Sequence, residues 1–483
     1  MLAKSPISVP ASARWFFWVF AGLSLASFFT GIATNFYYLF GLPALLLIGY
    51  LCVVDFKKIY FLLWACIPIS TEIYLPGGLG TDLPDEPFMI LITGIFFLFL
   101  IKHGKELDKR FFLHPVSLLL YLHLAWLTVT MITSNLPLVS VKFLFAKTWY
   151  IVAFYFMTGL LLKTEKDKKQ WLWWIFIPLM LTVTVVFLRH ASMGFSFKDV
   201  NRAMAPFYRN HVNYACLLAL FFPLVWYART WYKSWSFRWL LLVGGAGFLL
   251  IAIQFAYTRA AYVALAIAAG AYFIIRFRLT LPALILTVIG AGISVGYMVN
   301  QEKYLEYAPD FEKTVTHYKF DNLLEATAKG EDISTMERVY RWVAGKHMIE
   351  AEPLVGFGPG NFYNFYKSYT VSSFETYVSD NPDKSGIHSY YLMTAVEQGI
   401  PGLLIFLALC FAVLLLGQRV YHRTQNLFRK RWAMAITLSA LIIDALLLIN
   451  DMVETDKVGS FFFLFMAMLV RMDMEEGADD KKV

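Results

Sequence analysis

Long apolar runs recur along the whole chain and are separated by short polar loops. Each run holds roughly 17–25 residues, enough for an α-helix to cross a hydrocarbon core about 30 Å thick. The pattern predicts about fourteen membrane-spanning helices, or twelve or thirteen if the short third run and the pair before it are divided differently. They are expected near 15–33, 37–54, 58–72, 87–101, 113–133, 142–162, 171–189, 211–228, 239–256, 260–275, 279–299, 389–416, 433–450 and 458–470.

Composition supports the same fold class. Hydrophobic residues make up 59% of the chain and charged residues 16%, which excludes an ordinary soluble domain. A membrane β-barrel would need short alternating strands, and the sequence does not show them. The first apolar run lacks a small-residue cleavage site and is expected to be retained as a helix. The four cysteines all lie in apolar runs and are expected to be free thiols. The prediction is an all-α, polytopic integral membrane protein.

The distribution of lysine and arginine predicts the orientation of the helices. Basic residues fall in one set of loops, while the alternate loops 70–87 and 134–140 carry none. Because basic loops stay in the cytoplasm, fourteen helices would leave both termini cytoplasmic. The basic loops are 57–58, 102–110, 163–169, 229–238, 276–278 and 419–431. These basic loops account for the net charge of +8, so the charge does not indicate nucleic-acid binding. The outer face then holds 190–210, 257–259, 300–388 and 451–457.

The loop 300–388 is too rich in tyrosine and phenylalanine to be a disordered linker. Ser334 and Glu337 have the spacing of a capping box, and the helix that follows should end before Pro353. The glycine-rich stretch 356–361 predicts a tight turn where the backbone bends or lies close to another segment. We expect the loop to fold over the outer surface and close a site. The chain thus divides into 1–190, 191–299, the loop 300–388 and 389–483.

Positive residues on the outer face are exceptions to the orientation rule. Arg338 and Trp342 share one face of the predicted loop helix, and Arg259 sits in a very short turn between two helices. A solvated amphipathic helix and a simple interface anchor are the alternative interpretations. Several arginines and histidines from separate outer segments, however, favour an anionic ligand at this surface. Lys147 lies too deep for snorkelling to explain it easily.

The outer loops contain no metal-binding motif, so no metal ligand is assigned. Asp451, Glu454 and Asp456 could bind a cation, but a solvated acidic turn is the preferred interpretation. The glycine-rich turn resembles a phosphate-binding loop only loosely, and nucleotide binding there is not expected.

Four segments, in this order, resemble motifs of the O-antigen ligase and polymerase superfamily. They are Thr258-Arg259-Ala260, Arg338-Val-Tyr-Arg-Trp342, Pro353-Leu-Val-Gly-Phe-Gly-Pro-Gly-Asn-Phe362 and the stretch 388–402 that begins His388-Ser-Tyr-Tyr. The segment 202–215 is similar to the arginine- and asparagine-containing stretch upstream of these motifs. Thr258, Ser389 and His211 depart from the common serine, asparagine and proline. The resemblance covers roughly residues 200–420.

The resemblance implies a membrane glycosyltransferase of the bacterial inner membrane, with its site on the periplasmic face. It would move a glycan from undecaprenyl diphosphate to an acceptor hydroxyl, with membrane lipids around it and no nucleotide sugar, cofactor or essential metal. The ligase that uses lipid A–core is preferred over a polysaccharide polymerase or a protein-glycosylating enzyme. A lipid-linked glycan transporter is the alternative of another class. The implied catalytic residues are His388, Arg338 and Arg259, and the implied substrate-binding residues are Arg202, Arg209, His211, Arg341 and Tyr391.

Overall fold

The structure, a computed structural model, describes residues 11–74, 80–308, 333–376, 379–381 and 384–479. The chain forms two compact units, residues 1–64 and 65–483. In the first unit, α1 (Ala11–Thr34) and α2 (Leu42–Val54) are joined by a 3-10 turn, Tyr37–Gly41. The Ser27 hydroxyl of α1 donates to the Leu39 carbonyl in that turn. α3 (Phe56–Cys66) runs across the boundary between the units.

In its described residues the second unit is a helical bundle with two short strands, β1 (Thr71–Tyr74) and β2 (Gly80–Leu83), paired antiparallel. Its first helices are α4 (Asp85–His103), α5 (Lys109–Phe112), α6 (Pro115–Ile132), α7 (Pro137–Ile151), α8 (Met157–Leu161) and α9 (Glu165–Ser192). A π-helical turn, Val152–Phe156, joins α7 to α8. The next are α10 (Val200–Met204), α11 (His211–Ala228), α12 (Phe237–Phe255), α13 (Arg259–Arg276) and α14 (Thr280–Val299).

After α14, the described part of the long loop contains α15 (Ile333–Ala351) and α16 (Phe362–Phe365). Three long helices complete the chain: α17 (Tyr390–Arg423), α18 (Leu427–Leu446) and α19 (Asp456–Asp479). Every predicted apolar run coincides with helical segments, except that 58–72 ends in β1. The fold is therefore an all-α, polytopic membrane protein, as predicted.

Nine helices in the described residues are long and apolar enough to cross a membrane. Two further apolar helices, Trp18–Thr34 and Tyr38–Val54, are shorter. The C-terminal helices α18 and α19 carry charged residues at both ends, and they lie almost wholly inside the bundle. α17 packs on α6, α18 and α19, while α11 and α13 also pack on α18. These enclosed helices form the frame on which the loop helix α15 rests.

Two local predictions are corrected by the structure. Ser334 is not a helix cap, because α15 already begins at Ile333. Glu337 instead binds partners outside the first turn. The predicted span 389–416 is not one continuous helix, because Gly399 has non-helical dihedral angles (φ 69°, ψ 179°) and interrupts α17.

Candidate functional site

The glycine-rich turn after α15 is anchored on the break in α17. Phe357 N donates to the Val396 carbonyl at 3.0 Å, and Ile400 N donates to the Pro353 carbonyl at 2.8 Å. A Cβ on Gly399 would collide with the Leu354 carbonyl, and Gly399 also has positive φ. Only glycine satisfies both conditions without strain. The prediction that this turn lies close to another segment is confirmed.

Glu397 fixes the turn from inside the bundle. Its carboxyl accepts hydrogen bonds from Gly360 N at 2.8 Å and Phe362 N at 3.0 Å, and the residue is 2% exposed. These amides are therefore engaged within the protein rather than directed at a phosphate. Asn361 adds a bond to Ser134 Oγ, in the loop between α6 and α7, at 2.9 Å.

Replacing Glu397 with alanine is expected to destabilise the protein by about 2–4 kcal/mol, because two buried amide donors lose their acceptor. Glu397→Gln should cost less, since one carbonyl oxygen remains to accept. Thermal unfolding of the purified protein in detergent measures both changes. Exposed Glu352, in the same connection, supplies the control Glu352→Ala. Equal melting temperatures for Glu397→Ala and Glu352→Ala would contradict the anchoring role.

The helix α15 holds the segment that precedes α17. Arg341 Nη1 donates to the Gly386 carbonyl at 3.3 Å, and Trp342 Nε1 donates to the Ile387 carbonyl at 3.0 Å. Arg341 is 5% exposed and also pairs with Glu337 at 3.2 Å. Glu337 in turn accepts from Ser379 Oγ at 2.7 Å. This helix is therefore a packed support rather than a solvated amphipathic helix.

His388 is placed by these contacts, with positive φ (56°), directly before the cap of α17. Burial, then the nearby guanidiniums of Arg338 and Arg341, lower its pKa to about 3. Its imidazole makes no hydrogen bond to any other residue that the structure describes. His388 is thus a neutral imidazole near two cations, and its ring nitrogens are available to a ligand.

Asp451 lies beside the same segment. A Cβ on Gly386 would collide with Asp451 Oδ2, so the glycine allows the carboxyl to approach the backbone. Burial raises the pKa of Asp451, and the guanidiniums of Arg341 and Arg209 partly oppose that rise. Arg209, predicted from a distant part of the sequence, therefore lies at the same end of the bundle as His388.

Arg259 begins α13, and the turn before it is held by His211. The His211 Nδ1 lies 2.8 Å from the Ala256 carbonyl and 3.1 Å from Thr258 Oγ1. Asn201, next to the exposed Arg202 in α10, accepts from His211 N at 3.0 Å. His211 thus has a structural role, because it holds the turn that precedes Arg259.

Tyr391 turns away from the group around His388, since its hydroxyl donates to the Asp444 carbonyl at 3.1 Å. Its neighbour Tyr390 belongs to a network that the sequence did not predict. Tyr390 Oη donates to Glu454 Oε1 at 2.7 Å, and Lys147 Nζ lies 2.5 Å from that same oxygen. The depth of Lys147 was the available signal, because a buried lysine requires a partner.

The preferred interpretation of the acidic turn as solvated is wrong for Glu454 and Asp456. Glu454 pairs with Lys147, and Asp456 is 6% exposed and accepts from Ser70 Oγ at 2.7 Å. Within the described residues, no group of three or more His, Cys, Asp or Glu side chains could hold a metal ion. The end of the bundle around His388 instead offers guanidiniums and a neutral imidazole, a combination that suits an anion next to a hydroxyl group.

Comparison with known families gives one result that bears on this site. Residues 244–407 match the family described as O-antigen ligase. The matched segment contains Arg259, Arg338, Arg341, His388 and Tyr391, whereas Arg202, Arg209 and His211 lie before it. The predicted resemblance to the O-antigen ligase and polymerase superfamily is confirmed over this part of the chain. No curated protein matches the chain.

Proposed function

Because residues 244–407 carry an O-antigen ligase domain, we propose that this membrane enzyme transfers a glycan from undecaprenyl diphosphate to an acceptor hydroxyl. The preferred acceptor is lipid A–core, and the proposed location of the site is the periplasmic face of the bacterial inner membrane. The observation that carries the proposal is the group formed by His388, Arg338 and Arg341 inside the matched segment.

Arg338 and Arg259 are proposed to bind the donor diphosphate, with Arg202 and Arg209 in support. When the acceptor oxygen bonds to the sugar C1, the C1–O bond to the diphosphate breaks and negative charge develops on the leaving group. Guanidiniums fixed before the reaction stabilise that charge without reorganisation. Arg341 is expected to act mainly by holding the backbone of Gly386, since its guanidinium is buried and bonded there.

His388 is proposed to accept the proton of the acceptor hydroxyl. A pKa of about 3 in the free protein makes the imidazole neutral at physiological pH but a weak base. A bound diphosphate would offset the charge of Arg338 and Arg341, which contribute to this low pKa. The His388 pKa should therefore rise on donor binding, so that basicity increases when the substrate is in place.

The pH profile should report this coupling. Protonated His388 cannot accept a proton, and its low pKa keeps it unprotonated in the free wild-type enzyme until the pH approaches about 3. Arg338→Gln removes one cause of the lowered pKa, so the acid limb of kcat/KM for the donor should move to higher pH. Arg202→Gln is the control, since it should reduce the rate without moving the limb. Superimposable acid limbs for Arg338→Gln and wild type would contradict the coupling.

The identity of the glycosylated acceptor distinguishes the ligase from a polymerase and from a protein-glycosylating enzyme. Purified protein is incubated with a lipid-diphosphate glycan and, separately, with lipid A–core, with a second donor molecule or with an acceptor protein. Product on lipid A–core alone supports the ligase. Elongated glycan on the carrier supports a polymerase, and glycosylated protein supports a protein-glycosylating enzyme. Either result would overturn lipid A–core as the preferred acceptor.

A further inference from the structure

A cavity of about 330 Å³ lies at the opposite end of α17 from His388. The part of α17 that follows the break at Gly399, residues 400–423, alone spans roughly 36 Å. The cavity is lined by Arg278, Leu415, Gln418, Arg419, His422 and Arg423. Four of them, Arg278, Arg419, His422 and Arg423, belong to the basic segments 276–278 and 419–431. The site proposed for glycan transfer does not use these residues.

Three arginines, and no acidic residue, are among the described residues that line this cavity. Among the described residues, Asp473 pairs with this wall: it accepts from Arg419 at 3.1 and 2.5 Å and lies 3.9 Å from Arg423. Arg278 makes no hydrogen bond or ion pair with any residue that the structure describes. The guanidinium of Arg278 therefore has no acidic partner among the described residues, and an anion in the cavity would balance its charge.

The polar groups of the wall also present donors. Gln418 Oε1 accepts from Thr280 N at 3.1 Å and from Thr280 Oγ1 at 2.7 Å. Its Nε2 group has no partner in the described part of the chain and can donate to a ligand. Thr280 is the first residue of α14, so the positive end of that helix dipole lies beside Gln418. Cations in the last turn of α17 also offset its own dipole, but this does not account for Arg278.

The surface of α14 next to the cavity is apolar. Leu415 contributes to the cavity wall, and the adjoining α14 exposes Leu281 (53%) and Ile285 (50%). A ligand that matches both features has an anionic head and hydrocarbon chains. We propose that this cavity binds the phosphate of an anionic phospholipid headgroup, with the acyl chains along α14. This proposal does not depend on the glycan-transfer reaction.

Binding of short-chain lipids to the purified full-length protein in detergent tests the proposal. Dioctanoyl phosphatidylglycerol should bind saturably, and dioctanoyl phosphatidylcholine should bind about tenfold more weakly. Arg278→Gln should weaken phosphatidylglycerol binding about tenfold, with Arg278→Lys intermediate. Arg238→Gln, which changes an exposed arginine in the first turn of α12, is the matched control and should bind like wild type. Unchanged melting temperatures would show that the variants are folded.

Equal affinity for the two lipids, or equal affinity in Arg278→Gln and Arg238→Gln, would overturn the proposal. Competition with inorganic phosphate distinguishes a lipid headgroup from free phosphate as the ligand. Excess phosphate should leave phosphatidylglycerol binding unchanged if the lipid is the ligand. Full competition by inorganic phosphate would instead identify a site for free phosphate and would overturn the assignment to a lipid.

Discussion

Replacing His388 with alanine is expected to lower the rate of glycan transfer by about 10²–10⁴-fold, the usual contribution of a positioned acid–base group. The imidazole has no internal hydrogen-bond partner among the described residues, so its removal should not break the fold. The backbone before His388 is held without the imidazole, because Trp342 donates to the Ile387 carbonyl. The initial rate of product formation with purified donor and acceptor measures the effect.

His103→Ala supplies the control for this substitution, because His103 lies at the end of α4, outside the proposed site. Both variants should insert into the membrane and melt like wild type. His388→Asn is a second variant, which keeps a hydrogen-bonding side chain but cannot act as a base. A folded His388→Ala protein that forms product at the wild-type rate would refute the catalytic role. Full activity in His388→Asn alone would reduce the role to orientation of the acceptor.

Neutralising Arg338 or Arg259 should reduce transfer by about 10²–10³-fold each, if each guanidinium stabilises the diphosphate leaving group. Lysine should rescue poorly at both positions, because an ammonium group cannot reproduce two parallel N–H donors. The initial rates of Arg338→Gln, Arg338→Lys, Arg259→Gln and Arg259→Lys, taken at saturating acceptor, measure this. The loss should appear in kcat as well as in KM for the donor, since the charge develops in the transition state.

Arg238→Gln and Arg238→Lys are the controls for the arginine series, because that side chain is exposed in the first turn of α12. Arg341→Lys should behave differently again. It should lower the melting temperature, since the buried guanidinium holds Gly386 and Glu337 together. Full activity in both Arg259→Lys and Arg338→Lys would exclude a clamp of defined shape and leave a general effect of charge.

Much of the fold could be predicted from the sequence, because hydrophobic length and turn chemistry are local properties. The apolar runs fall on helices, α15 ends at Ala351 before Pro353, and the glycines at 356–360 form the expected close turn. The ordered motifs also indicated the family. The candidate arginines lie in separate segments of the predicted outer face. They could be identified because basic loops are expected in the cytoplasm, so that basic residues on the outer face are exceptions.

The features that were missed depend on contacts between distant residues. Gly399 interrupts α17 because the connection after α15 packs against it, and an apolar run alone cannot show such a contact. Glu454 is not a solvated residue of the acidic turn, because the buried Lys147, 307 positions away, pairs with it. Glu337 has the spacing of a capping residue, but its partners are Arg341 and Ser379. In each case a tertiary partner decided the role of a residue whose local pattern was ambiguous.

Release of undecaprenyl diphosphate in step with acceptor glycosylation is the most direct test of the proposed transfer reaction. Purified protein is supplied with lipid-diphosphate glycan and acceptor in excess EDTA, without any nucleotide. One undecaprenyl diphosphate should be released for each acceptor glycosylated, and His388→Ala should release none above background. Intact donor recovered on the opposite side of a reconstituted membrane, with no glycosylated acceptor, would contradict the transferase and favour a transporter. Activity that requires an added divalent metal would contradict the metal-independent mechanism.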